Sequence, residues 1–206
     1  KYGKEITSDR EVFDRCTDTI IRQVGDIGQM VDEFSAFARM PAPEFKAEPL
    51  ARILEEAVFL QKVAHPEVLY QLNDIPENTV CRLDEPQVKR VFTNLLQNAN
   101  DAIEGRDGDP SDLAEGRIEI TVLEQDNHIV VRFEDNGRGL PKEDRARLTE
   151  PYVTHREKGT GLGLAIVNKI MEEHGGNLNL QDASNGSGAC VEVTFLKTET
   201  KDETRG

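Results

Sequence analysis

Apolar residues recur along residues 9–39 at spacings that alternate between four and three. No proline interrupts this segment, so the pattern predicts one long helix with a single apolar stripe. The stripe consists of Ile20, Val24, Ile27, Val31, Phe34 and Ala38. Because such a stripe is unstable in water, we predict a coiled-coil-like helix that needs partner helices. The alternative is that this helix packs back onto its own domain.

The rest of the chain mixes two kinds of periodicity. Apolar positions at helical spacing predict helices over residues 50–63, 85–104 and 161–174, the last ended by a Gly175-Gly176 cap. Short apolar or alternating runs predict strands over residues 68–72, 79–83, 117–123, 128–133, 177–180 and 189–196. Residues 142–148 form at best a short helix.

This order of elements predicts the fold class and its division into segments. Helices and strands do not alternate strictly, which favours an α+β fold over a doubly wound one. We predict a two-layer α/β sandwich, with a mixed sheet covered by helices on one face. Three prolines within residues 40–49 predict a stiff connector. The segments are a long helix over 1–40, a linker over 41–49, a globular domain over 50–196 and a flexible tail over 197–206.

Composition narrows the function classes. The chain has 206 residues and a net charge of -14, which argues against a nucleic-acid partner. No apolar run approaches the roughly 20 residues that a membrane span needs, so we expect a cytoplasmic segment without membrane contact. Cys16, Cys81 and Cys190 lack metal-ligand spacing. We interpret all three as packing residues in a reducing compartment.

Three polar side chains share one face of the helix predicted over residues 85–104. Asn94, Asn98 and Asp101 lie at positions i, i+4 and i+7 among apolar neighbours. An amide can offer its oxygen to Mg²⁺ and its NH₂ group to a phosphate oxygen. The face therefore suggests part of a magnesium-nucleotide site; the alternative is a row of solvated asparagines.

A second run, Asp135-Asn-Gly137-Arg-Gly139, follows a predicted strand. A carboxylate at a strand end can accept a hydrogen bond from the exocyclic amine of adenine, and glycines let the ring approach the backbone. The competing interpretation is an ordinary turn, because Asn-Gly is a strong turn dipeptide.

A third run, Gly159-Thr-Gly161-Leu-Gly163-Leu, opens the helix predicted over 161–174. Free N–H groups at a helix start favour phosphate. The run does not follow a strand in a β-α-β unit, which disfavours a dinucleotide site, and the chain has no Walker-type loop. Residues 140–158 are basic in an acidic chain, which predicts a mobile lid; the alternative is a loop of balanced charge.

Together the three runs resemble the ATP-binding domain of sensor histidine kinases, a branch of the superfamily of DNA gyrase, the heat-shock chaperone ATPase and the mismatch-repair ATPase. Residues 94–101 are similar to the N box, residues 135–139 to the first glycine box and residues 159–164 to the second. Tyr152 lies in a segment similar to the family's Phe-rich lid motif. Gly186-Ser-Gly188 matches its last glycine motif.

The resemblance implies a role for each matched position. Asn98 would hold Mg²⁺, Asp135 would bind adenine, and Asn94 and Asp101 would line the phosphate and ribose side; Asn94 and Asn98 would be catalytic. Many of these kinases carry Lys or Arg at the position of Asp101, and Tyr at the position of Ala102. The remaining ATP-binding residues would be Gly137, Gly139, Tyr152, Arg156, Lys158, Gly159, Thr160, Gly161, Leu162 and Gly163.

Residues 35–43 resemble the end of the second helix of a dimerisation and phosphotransfer hairpin, most like sensors of the NtrY type in nitrogen regulation. The resemblance makes residues 1–40 the remnant of that hairpin. The family's acceptor histidine lies in a His-Glu/Asp-x-x-x-Pro run on the first helix, and this sequence has no such run. We interpret its four histidines as structural or surface residues, with His155 a candidate phosphate contact: His65, His128, His155 and His174.

The resemblance implies a fragment that binds Mg-ATP and serves a histidine carried elsewhere, without phosphorylating itself. The implied partners are that phosphotransfer helix, a response regulator and a second copy, within a membrane-anchored bacterial sensor. Two alternatives stay open. An ATP-hydrolysing member normally needs a glutamate at the position of Asn94, which cannot act as a general base. A dimerisation or signalling module would have lost nucleotide binding.

Overall fold

A computed structural model describes residues 2–73, 75–76, 79–109, 113–125, 127–143, 145–154, 160–184 and 186–197. The long predicted helix is present as α1, Tyr2–Ala38. Its apolar stripe is exposed, with Ile20, Val24 and Ile27 each 60% exposed or more. These described side chains of α1 therefore do not pack against the described part of the globular domain, and the pairing of α1 with other helices stays a prediction.

The connector after α1 is more ordered than the sequence predicted. Residues 46–49, assigned to a linker, form strand β1, Lys46–Pro49, which pairs antiparallel with β3, Val80–Leu83. The backbone N–H of Glu44 donates to Oδ2 of Asp84 at 2.8 Å. The Gln87 amide also donates to the carbonyl of Pro41, at 3.0 Å. The connector is thus fixed to the start of the next helix.

The main sheet has five strands in the order β2-β4-β5-β7-β6. The first pair is parallel and the other neighbours are antiparallel, so the predicted mixed sheet is confirmed. The strands are β2 Val68–Asn73, β4 Gly116–Glu124, β5 His128–Asp135, β6 Asn177–Asp182 and β7 Ala189–Leu196.

Three helices cover one face of this sheet: α2 Leu50–Ala64, α3 Glu85–Glu104 and α4 Gly163–Glu173. The core lies between the two layers. The fully buried ring of Phe92 on α3 packs on Phe133 and Phe195 from the sheet, with ring centroids 5.8 and 6.1 Å apart. This arrangement confirms the predicted two-layer α/β sandwich.

Local chemistry explains where α3 begins and where α4 ends. Asp84 caps α3 by accepting a hydrogen bond from the N–H of Gln87 at 3.0 Å. Gly175, with φ of 66°, and Gly176 return their N–H groups to the last turn of α4, as the predicted cap requires. Among the described residues of the segment predicted as a short helix, Arg145–Arg147 form a 3₁₀ turn.

The cysteine prediction is wrong for one residue. Cys16 lies exposed on α1, whereas Cys81 and Cys190 are buried. Burial raises the pKa of the Cys81 thiol to about 12 and that of Cys190 to about 11, so both stay protonated at neutral pH. These two are packing residues, as the sequence predicted.

Candidate nucleotide site

Polar side chains from the middle of α3 lie beside the start of α4. Asn94 and Asn98 project from α3 toward Gly163, the first residue of α4. A Cβ built on Gly163 would lie 3.8 Å from Oδ1 of Asn98 and 3.9 Å from Oδ1 of Asn94. The absent side chain thus leaves a small space between the two amides and the helix start.

The Asn94 amide shows what this space can accept. Its Nδ2 atom is buried and has no hydrogen-bond acceptor among the described residues. A buried donor without an acceptor costs roughly 1–3 kcal/mol. A phosphate oxygen that reaches this Nδ2 atom would accept from it and remove that cost.

The start of α4 supplies further donors. Its first intrahelical bond runs from the N–H of Ile166 to the carbonyl of Leu162, at 2.8 Å. The N–H groups just before Ile166 therefore lie at the positive end of the helix dipole, which favours an anion. Leu162 is fully buried, and its N–H donates to Oγ1 of Thr160 at 3.3 Å, which fixes the approach to the helix.

Asp135 ends β5 at the other side of the site and is only 7% exposed. Its Oδ1 accepts from the N–H of Gly137 at 2.8 Å and from the N–H of Ala189 at 3.3 Å. Both donors are backbone N–H groups, which cannot lose their protons, and both orient the carboxylate. The contribution of Ala189 was missed from sequence, although the glycine motif before β7 could have signalled it.

Glycines allow the backbone around Asp135 to pack closely. A Cβ on Gly188, whose φ is 102°, would overlap the carbonyl oxygen of Asp135. Gly139, with φ of 77°, lies against the carbonyl oxygen of Gly188, which would be 3.1 Å from an added Cβ. The last glycine motif therefore supports the turn that carries Asp135.

The turn after Asp135 rests on α3. A Cβ on Gly137 would lie 2.6 Å from the carbonyl carbon of Ala102, and the N–H of Arg138 donates to the Ala102 carbonyl at 3.0 Å. The Asn136 side chain accepts from the N–H of Arg117 at 2.8 Å. Asn136 thus fastens the turn to β4, while Gly137 brings it against the helix of the two amides.

Tyr152 contacts the glycine run rather than the amides. Its N–H donates to the carbonyl of Gly161 at 3.0 Å. A Cβ on Gly161 would lie 2.7 Å from the carbonyl carbon of Tyr152, so the two backbones are in direct contact. Tyr152 itself has φ of 68°, a left-handed conformation that is strained for a tyrosine.

The other predicted positions fall into three sets. Asp101 lies one turn beyond Asn98, where its Oδ1 accepts from the Gln97 amide at 3.1 Å.

Two cations of the predicted lid, residues 140–158, form ion pairs: Arg145 pairs with Asp182, and Arg147 pairs with Glu150. Four predicted positions lie outside the described residues: His155, Arg156, Lys158 and Gly159.

The donor set fits a magnesium ion only together with a nucleotide. The described residues contain no group of three or more His, Cys, Asp or Glu that could hold a metal. An amide oxygen from Asn98 is a hard ligand of the kind Mg²⁺ accepts alongside phosphate oxygens. The residues therefore fit a cation that arrives with its phosphates.

A helix-borne amide pair, a buried carboxylate at a strand end and a glycine-rich helix start, set in a mixed α/β sandwich, define an ATP-binding domain of the class without a Walker loop. Residues 83–199 match the family described as "Histidine kinase-, DNA gyrase B-, and HSP90-like ATPase". The chain belongs to this family.

Curated relatives include sensor and sporulation kinases. Nitrogen regulation protein NtrY of Azorhizobium caulinodans is 52% identical over 200 residues, which cover 97% of this chain and 25% of that protein. Sporulation kinase C of Bacillus subtilis is 29% identical over 188 residues, 89% of this chain and 41% of that protein. The chain thus spans about a quarter of the NtrY protein that it matches.

Solved structures share the fold. The catalytic domain of histidine kinase ThkA superposes with a TM-score of 0.63 at 28% identity, covering 75% of this chain and 97% of that one. Full-length ShkA in complex with AMPPNP gives a TM-score of 0.67 at 25% identity, covering 89% of this chain and 39% of that one. Among the helices that the structure describes, none combines the length and the apolar character that a membrane span requires.

Proposed function

We propose that this chain is the ATP-binding and catalytic portion of a two-component sensor histidine kinase. It binds Mg-ATP and presents the γ-phosphoryl group to a histidine carried on another segment, from which the group passes to a response regulator. The observation that carries this proposal is the Asn94 amide beside the start of α4. Its Oδ1 would lie 3.9 Å from a Cβ on Gly163, and its buried Nδ2 has no acceptor among the described residues.

Each part of the site then has a task. Asp135, oriented by the N–H groups of Gly137 and Ala189, accepts a hydrogen bond from the adenine amine. Asn94 donates to a phosphate oxygen, and the start of α4 lies beside the phosphates. The Asn98 oxygen would hold Mg²⁺, which neutralises charge on the phosphates when bound.

In phosphotransfer, an imidazole nitrogen of the acceptor attacks the γ-phosphorus, the bond from that phosphorus to the β,γ-bridging oxygen breaks, and ADP leaves. The chain's own contribution is to position the nucleotide in line with the acceptor and to stabilise charge. Asn94 cannot deprotonate a water, which disfavours hydrolysis as the main reaction. The contributions of Arg156 and Lys158 remain predictions.

The exposed apolar stripe of α1 supports the partners we propose for this helix. A helix of this length, with Ile20, Val24 and Ile27 in water, gains stability by packing against other helices. We assign α1 to the phosphotransfer hairpin, where it would pack against the helix that carries the acceptor histidine and against a second copy of the protein.

The test is transfer of the γ-phosphate of labelled Mg-ATP to a separately made hairpin whose first helix carries a His-Glu/Asp-x-x-x-Pro run. We expect label on the hairpin, lost in acid and stable in base, and none on the chain alone. Asn98→Ala should abolish the transfer, while Thr93→Ala on the exposed side of the same helix should not.

Each alternative has its own outcome in this experiment. Release of inorganic phosphate without labelling of the hairpin would favour an ATP-hydrolysing domain. Absence of Mg-dependent ATP binding at millimolar nucleotide would favour a signalling module without nucleotide. Acid-labile label on the chain alone would show that it carries its own acceptor.

A further inference from the structure

The end of α1 contacts the nucleotide site through an aromatic pair. The rings of Phe34 on α1 and Tyr152 have centroids 6.2 Å apart and are tilted by 32°. One turn further along α1, the ring of Phe37 receives the Lys169 ammonium of α4 at 5.1 Å from its centroid. Phe37 and Met40 also pack against the core. The last turns of α1 therefore lie on a surface formed by Tyr152 and α4.

Tyr152 needs support from its surroundings. Its φ of 68° is a conformation that L residues adopt only when packing holds them there. The backbone bond to Gly161 provides one such restraint, and the Phe34 ring provides another. Tyr152 is 55% exposed even with Phe34 beside it, and the Phe34 ring is the aromatic contact of this exposed residue.

The contact between Phe34 and Tyr152 is connected to the start of α4 through the backbone of residues 161–163. Tyr152 and Gly161 touch so closely that no Cβ fits on Gly161. Gly161 is followed by Leu162, which is fully buried, and then by Gly163, which faces Asn94 and Asn98. A displacement of Tyr152 must therefore move Gly161, while Leu162 resists that movement.

We propose that Phe34 is a positioning residue for nucleotide binding, which acts through Tyr152 and Gly161 on the start of α4. The proposal rests on the function proposed above. Phe34 keeps this backbone in the arrangement that the phosphates need, so part of the ordering that binding requires is already present. Because coupling is reciprocal, bound nucleotide strengthens the contact between α1 and Tyr152 by the same factor.

The first test is Mg-ATP affinity by calorimetry. We expect Phe34→Ala to weaken binding about 2- to 10-fold, the range for loss of one aromatic pair. Phe13→Ala is the matched control, because Phe13 is 68% exposed on the same helix. Tyr152→Ala should weaken binding too, and adding Phe34→Ala to it should cause no further loss, since the two residues act as one unit.

The second test measures the contact between residue 34 and Tyr152 by fluorescence. The chain has no tryptophan, so Phe34→Trp introduces a single indole fluorophore at the contact. We expect its emission to change on addition of Mg-ATP, and the change to disappear when Tyr152→Ala is added. Phe13→Trp should give no response, because its position does not face the site.

The outcomes separate the inference from the proposed function. If the unaltered chain does not bind Mg-ATP, both fail. If it binds while Phe34→Ala binds equally well or more tightly, only the inference is overturned. Additive losses in the double variant, or an equal fluorescence response at positions 13 and 34, would also overturn it. Far-ultraviolet circular dichroism checks that each variant keeps its helices.

Discussion

The carbonyl oxygen of Asp135 lies where the side chain of any residue other than glycine would begin at position 188. We therefore expect Gly188→Ala to lower the free energy of unfolding by at least about 2 kcal/mol, through steric overlap and a strained backbone. Gly186→Ala is the control, since it also has positive φ but no atom within 4 Å of an added Cβ. Urea unfolding of both variants measures the difference; equal losses would contradict the overlap.

Asp135→Asn should change base selection without unfolding the domain. An asparagine keeps an oxygen that can accept from the N–H groups of Gly137 and Ala189. Its amide offers a donor in place of the second carboxylate oxygen, which opposes the adenine amine. We expect ATP affinity to fall about tenfold or more while affinity for GTP falls less, as measured by calorimetry. An unchanged ratio of the two affinities would remove Asp135 from the adenine site.

Asn98→Ala tests the metal ligand. If the Asn98 oxygen holds Mg²⁺, the variant should lose most of the gain in ATP affinity that Mg²⁺ gives the unaltered chain, about tenfold or more. Affinity for ATP measured in EDTA should change much less. Thr93→Ala, on the exposed side of the same helix, is the control. A full magnesium gain in Asn98→Ala would place the ion elsewhere.

The environment of His174 predicts that the free energy of unfolding depends on pH. Its Nε2 accepts from the backbone N–H of Asp84 at 3.0 Å, so the neutral ring carries its proton on Nδ1, which donates to the Ile170 carbonyl at 2.8 Å. Burial lowers the pKa of His174, and a proton on Nε2 would oppose the N–H of Asp84.

Stability from the neutral ring is fully present above the unfolded pKa of about 6.5 and is lost as pH falls toward and through the lower folded pKa. We expect the free energy of unfolding to decline below pH 6.5 more steeply in the unaltered chain than in His174→Gln. Urea unfolding from pH 7.5 to 5 measures this difference. Parallel pH profiles for the two proteins would show that His174 is not the titrating group.

Periodicity predicted the regular elements well, because each helix or strand buries one face. The bounds of α3 were predicted as residues 85–104 and are observed as Glu85–Glu104. Strand β1 was missed because it is four residues long, ends at a proline and depends on β3, a partner distant in the chain. Such a strand has no periodic signal of its own.

The sequence predicts roles for individual site residues, and those roles stay predictions. The contacts that hold these residues in place were not predicted. The sequence shows Asp135 before a glycine turn, yet the need for glycine at position 188 comes from tertiary packing. Likewise, a phenylalanine in the stripe of α1 gives no sign that it meets Tyr152. Contacts between residues far apart in the chain leave no local pattern that spacing could indicate.

The parallel pairing of β2 with β4 has a consequence for how the site comes into being. Two parallel neighbours need a crossover connection, and here that connection includes α3, which carries Asn94 and Asn98. The helix that carries the amide pair is thus part of the connection that the β2–β4 pairing closes, so the site and the sheet belong to one structural unit. A nucleotide held there would consequently slow unfolding and proteolysis of the whole sandwich, including strands it never touches.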